Sequence, residues 1–122
     1  MTILLVDDDK DDQDIFAEAV SIAKPGCKLL LANDGAHGFS VLQQEGKPDY
    51  IFLDINMPEI NGKEFLQSLK SDPAYSEIPV VIYTTSSHKS ELGEYFKMGA
   101  TNFVTKPSEF NLLVTYLKSI LH

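Results

Sequence analysis

The stretch Tyr50-Ile51-Phe52-Leu53-Asp54, followed by Ile55-Asn56-Met57-Pro58-Glu59-Ile60-Asn61-Gly62, decides the fold. Its first four residues are apolar without alternation. Such a run reads as a short strand buried on both faces, which belongs in a sheet with helices on each side. Three other segments share the plan of an apolar run closed by polar residues. Ile3-Leu4-Leu5-Val6 precedes Asp7-Asp8, Val80-Val81-Ile82-Tyr83 precedes Thr84, and Asn102-Phe103-Val104-Thr105 precedes Lys106. In a parallel sheet the carboxyl ends of all strands share one edge. Three carboxylates, a hydroxyl and an ammonium therefore converge there, a set suited to a divalent cation and a phosphoryl group.

Helical segments separate the strands. Strands are expected at about 2–6, 28–32, 50–53, 80–83 and 101–105. The first helix spans about Asp11–Lys24, with Ile15, Phe16, Ala19, Val20 and Ala23 as its apolar stripe and Pro25-Gly26 as its stop. The second follows Asp34, a good N-cap, and ends at Gly46. Asn61 and Glu64 have capping-box spacing and open the third, with Phe65, Leu66 and Leu69 inward. The fourth covers about Ser87–Met98, and the fifth starts after Ser108 with Leu113, Tyr116, Leu117 and Ile120 on one face. Five alternations of strand and helix with right-handed crossovers give a doubly wound α/β fold. Ligands of such folds sit outside the strand carboxyl ends, where the winding reverses.

The chain has 122 residues, 43% of them hydrophobic, enough for one core and one domain over 1–122. A net charge of −8 disfavours direct binding to nucleic acid or anionic lipid. Cys27 is the single cysteine, so no internal disulfide forms and a reducing compartment is expected. No stretch is long and apolar enough to span a membrane, and the N-terminus is unlike a signal peptide, so the expected location is cytoplasmic. His37, His88 and His122 are scattered and read as surface residues.

Asp7, Asp8, Asp9, Asp11, Asp12 and Asp14 crowd the start of the chain. Favourable interaction with a helix dipole accounts for Asp11 and Asp12. It does not account for Asp7 and Asp8, which continue a buried strand. Two carboxylates ~4 Å apart repel by ~4 kcal/mol at an effective dielectric near 20. A hard cation such as Mg²⁺, bound by one or two carboxylates, relieves that repulsion and leaves Asp54 ionised as a nucleophile. Lys106 then serves as counter-ion to an oxyanion, and the Thr84 hydroxyl can donate to a phosphoryl oxygen.

Leu5-Val6-Asp7-Asp8, Leu53-Asp54-Ile55-Asn56-Met57-Pro58-Glu59-Ile60-Asn61-Gly62, Pro79–Thr85 and Gly99–Pro107 together resemble the receiver domain of two-component response regulators, of the stand-alone chemotaxis-protein type. The resemblance covers the whole chain. It implies a flavodoxin-like, five-stranded parallel sheet of order 2-1-3-4-5 with five helices on its two faces. It also implies that Asp54 accepts a phosphoryl group from a phosphohistidine, that Asp7, Asp8, Asp54 and the Asn56 carbonyl hold Mg²⁺, and that Lys106 assists. Thr84 and Phe103 correspond to the switch pair, with Phe in place of a Tyr. Small Thr85 and Ser86 flank the site, and Asn56 and Ser86 stand where the family tunes dephosphorylation. The implied partners are a sensor histidine kinase or phosphotransfer protein and a downstream protein target. The output surface is helix four, strand five and helix five, with dimerisation on activation one form of readout. The implied protein is a signalling receiver of a phosphorelay, promoting only its own phosphorylation and dephosphorylation, and not an enzyme acting on a separate substrate.

Three alternatives are weighed. A flavin binder on this fold needs a phosphate-cradling loop where Asp7-Asp8-Asp9 stands. A small-molecule phosphatase using an aspartate nucleophile usually carries a second Asp two residues on, where this chain has Asn56. A receiver cut from a larger regulator with an output domain has the same sequence features.

Overall fold

A computed structural model describes residues 1–55, 62–84, 91–106 and 109–121. The element order is β1 (Thr2–Val6), α1 (Lys10–Ala23), β2 (Lys28–Ala32), α2 (Gly35–Glu45), β3 (Tyr50–Asp54), α3 (Gly62–Ser71), β4 (Val80–Thr84), α4 (Leu92–Lys97), β5 (Asn102–Thr105) and α5 (Phe110–Ile120). All strand pairs are parallel, in the order β2-β1-β3-β4-β5. The expected doubly wound sheet with five helices is therefore the fold. Winding runs outward from β1 to β2, then reverses to β3, so the switch point lies between β1 and β3.

The side-chain period of two assigns each strand residue to a layer. Ile3, Leu5, Phe52, Val81 and Tyr83 pack with Phe16, Ala19 and Val20 of α1 and Leu113, Val114 and Leu117 of α5. Leu4, Val6, Ile51, Leu53, Val80 and Ile82 face the other way, onto Leu42 of α2, Phe65, Leu66 and Leu69 of α3, and Tyr95 of α4. The unalternating runs are thus explained by two apolar layers. Phe16, the largest anchor of α1, lies 5.0 Å from the Phe52 ring and 5.4 Å from that of Tyr83.

Local sequence sets the helix ends. Asp9 caps α1 by accepting the Asp11 and Asp12 amides, and Asp34 caps α2 by accepting that of His37. Gly46 and Gly99 close α2 and the α4 turn with φ of 85° and 107°, values that only glycine adopts without strain. Gly62 has a different reason. A Cβ there meets the Tyr95 hydroxyl oxygen at 3.0 Å and Ile55 Cγ2 at 3.3 Å, so α3 approaches α4 only with glycine.

Several expectations need correction. Ile15 is 45% exposed and leaves the α1 stripe, while Gln13 joins the buried face. Helix α1 begins at Lys10 and ends at Ala23, and β3 and β4 each extend one residue further, to Asp54 and Thr84. Strand β5 begins at Asn102 and is an edge strand whose first two residues are exposed. On α5, Leu113, Tyr116, Leu117 and Ile120 do share one face against the core, Tyr116 and Ile120 only half-buried, and Val114 joins them. The described part of α4 is Leu92–Lys97, and α5 begins at Phe110 after Glu109. The Asn61 cap and the opening of α4 near Ser87 lie outside the described residues.

Candidate phosphoryl and metal site

Register brings the acids together. Val6 of β1 pairs with Leu53 of β3, so the next residues, Asp7 and Asp54, emerge side by side at the switch point. Both continue the face that carries Leu5 and Phe52, which puts them under α1 and α5. Asp7 is fully buried and Asp54 is 1% exposed. Asp8 stays exposed at the rim, and ligand oxygens of Asp7, Asp8 and Asp54 lie within 4.8 Å of one another. Four residues of β5 pair with β4, ending at Thr84 and Thr105, and Lys106 follows one step beyond.

Lys106 reaches back across the sheet end. Its ammonium donates to Asp54 Oδ2 at 3.1 Å and to Asp12 Oδ2 at 2.7 Å, and stands 3.3 Å from Asp7 Oδ2. It also lies over the Tyr83 ring, 5.2 Å from the centroid. The Asp7 contact is an ion pair in distance but is off the hydrogen-bond direction, so Asp7 Oδ2 is buried without a hydrogen bond. The other oxygen, Oδ1, accepts the Asp9 amide at 2.9 Å.

Proton affinities report the crowding. Burial, reinforced by the Asp54 charge, pushes the Asp7 carboxyl up to about 7 against the pull of the Asp9 amide and Lys106. Burial and Asp54 also raise Asp8. Burial alone lowers the Lys106 value, but its bonds to Asp12 and Asp54 and the charge of Asp7 outweigh that and hold it well above the usual lysine range. Lys106 is a permanent cation among four carboxylates.

A buried carboxylate oxygen lacking a donor, flanked by two more carboxylates, fits a hard divalent cation with oxygen ligands. Asp7, Asp8 and Asp54 can hold it. Asn56 lies outside the described residues, as do Thr85 and Ser86. Thr84 ends β4 at the same sheet edge, but its hydroxyl is outside the description. Phe103 is elsewhere: it pairs with Ile82 on the opposite face, is 36% exposed, and stacks edge-on against Phe96 at 6.1 Å.

Two residues at the site escaped the sequence reading. In the sequence the helix dipole accounts for Asp12, yet it makes the shortest contact to Lys106. Gln13 is buried, donates to the Asp7 carbonyl at 2.6 Å and to Asn33 Oδ1 at 3.0 Å, and so joins β1 to the loop after β2. Its spacing of three and seven from Phe16 and Val20 places it on the inward stripe, a signal available in the sequence.

The model of the response regulator receiver domain matches residues 3–118. The chain belongs to the response regulator receiver family. Rcp1 of a Synechocystis strain is a 30% identical relative, the match covering 97% of this chain and 84% of Rcp1. The manganese-bound form of Rcp1 superposes with a TM-score of 0.81 at 30% identity, over 98% of this chain and 90% of that one. The phosphorylated cyanobacterial phytochrome response regulator RcpA gives a TM-score of 0.83 at 31% identity, over 98% and 89%. Like these proteins, the chain is a two-component signalling receiver. Among the described residues no helix is long and apolar enough to cross a membrane.

Proposed function

We propose that this receiver accepts a phosphoryl group on Asp54 from a phosphohistidine of a sensor kinase or phosphotransfer protein. The observation that carries the reading is the state of Asp54. It is nearly inaccessible, yet its carboxylate is bonded to the half-buried Lys106 ammonium and faces two further acids. No packing role requires that arrangement, whereas a paired cation and neighbouring acids suit a carboxylate that takes a phosphoryl group.

In the transfer, an Asp54 oxygen attacks phosphorus and the P–N bond to the donor imidazole breaks. The electron pair leaves with that nitrogen, and the imidazole departs neutral, taking up a proton there if its other nitrogen carries none. The Lys106 ammonium moves from the Asp54 carboxylate to a phosphoryl oxygen and stabilises the charge there. Asp7, Asp8, Asp54 and the Asn56 carbonyl would hold Mg²⁺, which would supply charge neutralisation at the phosphoryl oxygens. Hydrolysis reverses the modification: water adds to phosphorus, the P–O bond to Asp54 breaks, and phosphate leaves.

The Thr84 hydroxyl binds the new phosphoryl group, and Phe103 changes position in response. Because Phe103 lies on β5, which runs directly into Lys106, one strand links the site to the aromatic pair with Phe96 on α4. Phosphorylation biases an existing two-state equilibrium of that surface. The α4–β5–α5 face then contacts a downstream protein, and the setting is the cytoplasm.

The test is incubation of the full chain with Mg²⁺ and a small phosphodonor, followed by intact-mass measurement. One acid-labile phosphoryl group is expected on the native chain and none on Asp54→Asn. Equal labelling of both chains rejects the assignment.

A further inference from the structure

The shortest contact of Lys106 is to a residue outside the acid trio. Asp12 Oδ2 is 2.7 Å from the ammonium, against 3.1 Å for Asp54 and 3.3 Å for Asp7. Asp12 stands on the first turn of α1 and its side chain is 30% exposed, while that of Lys106 is 11% exposed. The ammonium therefore hangs between the trio and a rim carboxylate, with the Tyr83 ring beneath it.

Resting on the phosphoryl-acceptor reading, we infer that Asp12 is a positioning residue that competes with the phosphoryl group for the Lys106 ammonium. A lysine has three N–H donors, and here two of them are already spent on Asp12 and Asp54. Phosphorylation converts the Asp54 acceptor into part of an acyl phosphate and offers Lys106 new, more highly charged oxygens nearby. The Asp12 bond is the one that must lengthen or be shared. Asp12 thus lowers the affinity of the site for a tetrahedral anion and shifts the resting balance toward the unmodified form. A carboxylate that merely favoured the helix dipole would alter the stability of α1 and leave anion binding unchanged.

Bare repulsion of an anion by any nearby carboxylate is the rival account, and Asp11 separates the two. Asp11 lies on the same helical turn, is exposed, and makes no ion pair with Lys106 among the described residues. The probe is beryllofluoride, a phosphoryl mimic, titrated calorimetrically into the full chain at saturating Mg²⁺. Asp12→Asn is expected to bind it about two- to fivefold more tightly, the span for losing one partly exposed charge pair. Asp11→Asn is expected to match the native chain. Equal or weaker binding by Asp12→Asn overturns the inference, and so does an equal gain in both variants. Failure of the native chain itself to bind beryllofluoride overturns the function reading along with it, whereas native binding without an Asp12→Asn gain sinks this inference alone.

Discussion

Magnesium affinity should depend on pH through one proton, the one on Asp7. Its carboxyl is fully buried, its Oδ2 lacks a hydrogen bond, and burial beside Asp54 raises its pKa to about 7. A cation must displace that proton before it can use both carboxylates. At about pH 6 roughly one Asp7 in ten is ionised, and at about pH 8 roughly nine in ten. Apparent Mg²⁺ affinity should therefore rise about tenfold over that interval, about 1.4 kcal/mol. Binding should release nearly one proton at the lower pH and almost none at the higher. Calorimetric titration in buffers of different ionisation enthalpy measures affinity and proton release together. Equal affinity at both ends, with no proton release, would refute the argument that the buried acid is the gate.

The same proton governs stability without metal. Folding raises the Asp7 pKa from 3.8 toward 7, so the native state binds more protons than the unfolded state between those values. Stability must then fall as pH rises through that window, by at most ~1.4 kcal/mol per pH unit from this group. In chelator the melting temperature should drop from about pH 5 to about pH 8, and Mg²⁺ should restore it by binding only the folded chain.

Further outcomes follow from single contacts. Asp7→Asn should melt higher than the native chain in chelator above neutral pH and lose the Mg²⁺ response, as thermal scans with and without the ion will show. Gln13→Ala leaves the Asp7 carbonyl and Asn33 side chain without their donor and should cost about 1–3 kcal/mol in urea unfolding. Gly62→Ala drives a methyl group against Tyr95 and Ile55 and should lower stability by about 1–3 kcal/mol, measured the same way.

Strand-ending polar residues were legible because buried strands are short and leave no room for charge inside them. Asp7, Asp54 and Lys106 each stand at the first position beyond or at the end of an apolar run, and parallel pairing does the rest. The α1 stripe was harder. Ile15 neighbours Phe16 in sequence but points about 100° away around the helix. An apolar residue on the solvent face, 45% exposed, imitates the core in any reading by composition. Asp12 was hidden for another reason. Its partner lies 94 residues along the chain, and that pairing requires β5 to be three strands removed from β1 with a long side chain reaching back. Local pattern shows the dipole role and nothing else. Phe103 carries an exposed ring because β5 is an edge strand, which an apolar run cannot reveal.

The sheet cannot resolve the conflict among its own acids. Separating Asp7 from Asp54 requires β1 to slide past β3, and a one-residue slip sends Val6 and Leu4 out of one apolar layer and into the other. That rearrangement disrupts both apolar layers to relieve a repulsion between two carboxylates of about 3.5 kcal/mol or more, taken at the 4.8 Å limit and an effective dielectric near 20. The charge must therefore be cancelled where it stands. Three agents can do so: a proton on Asp7, the Lys106 ammonium, and a divalent cation. The proton and the cation exclude each other at Asp7, while Asp12 and a phosphoryl oxygen contend for the ammonium. On the proposed reading, metal and phosphoryl would thus act on charges held in place by the β1–β3 ladder, which gives neither acid room to retreat.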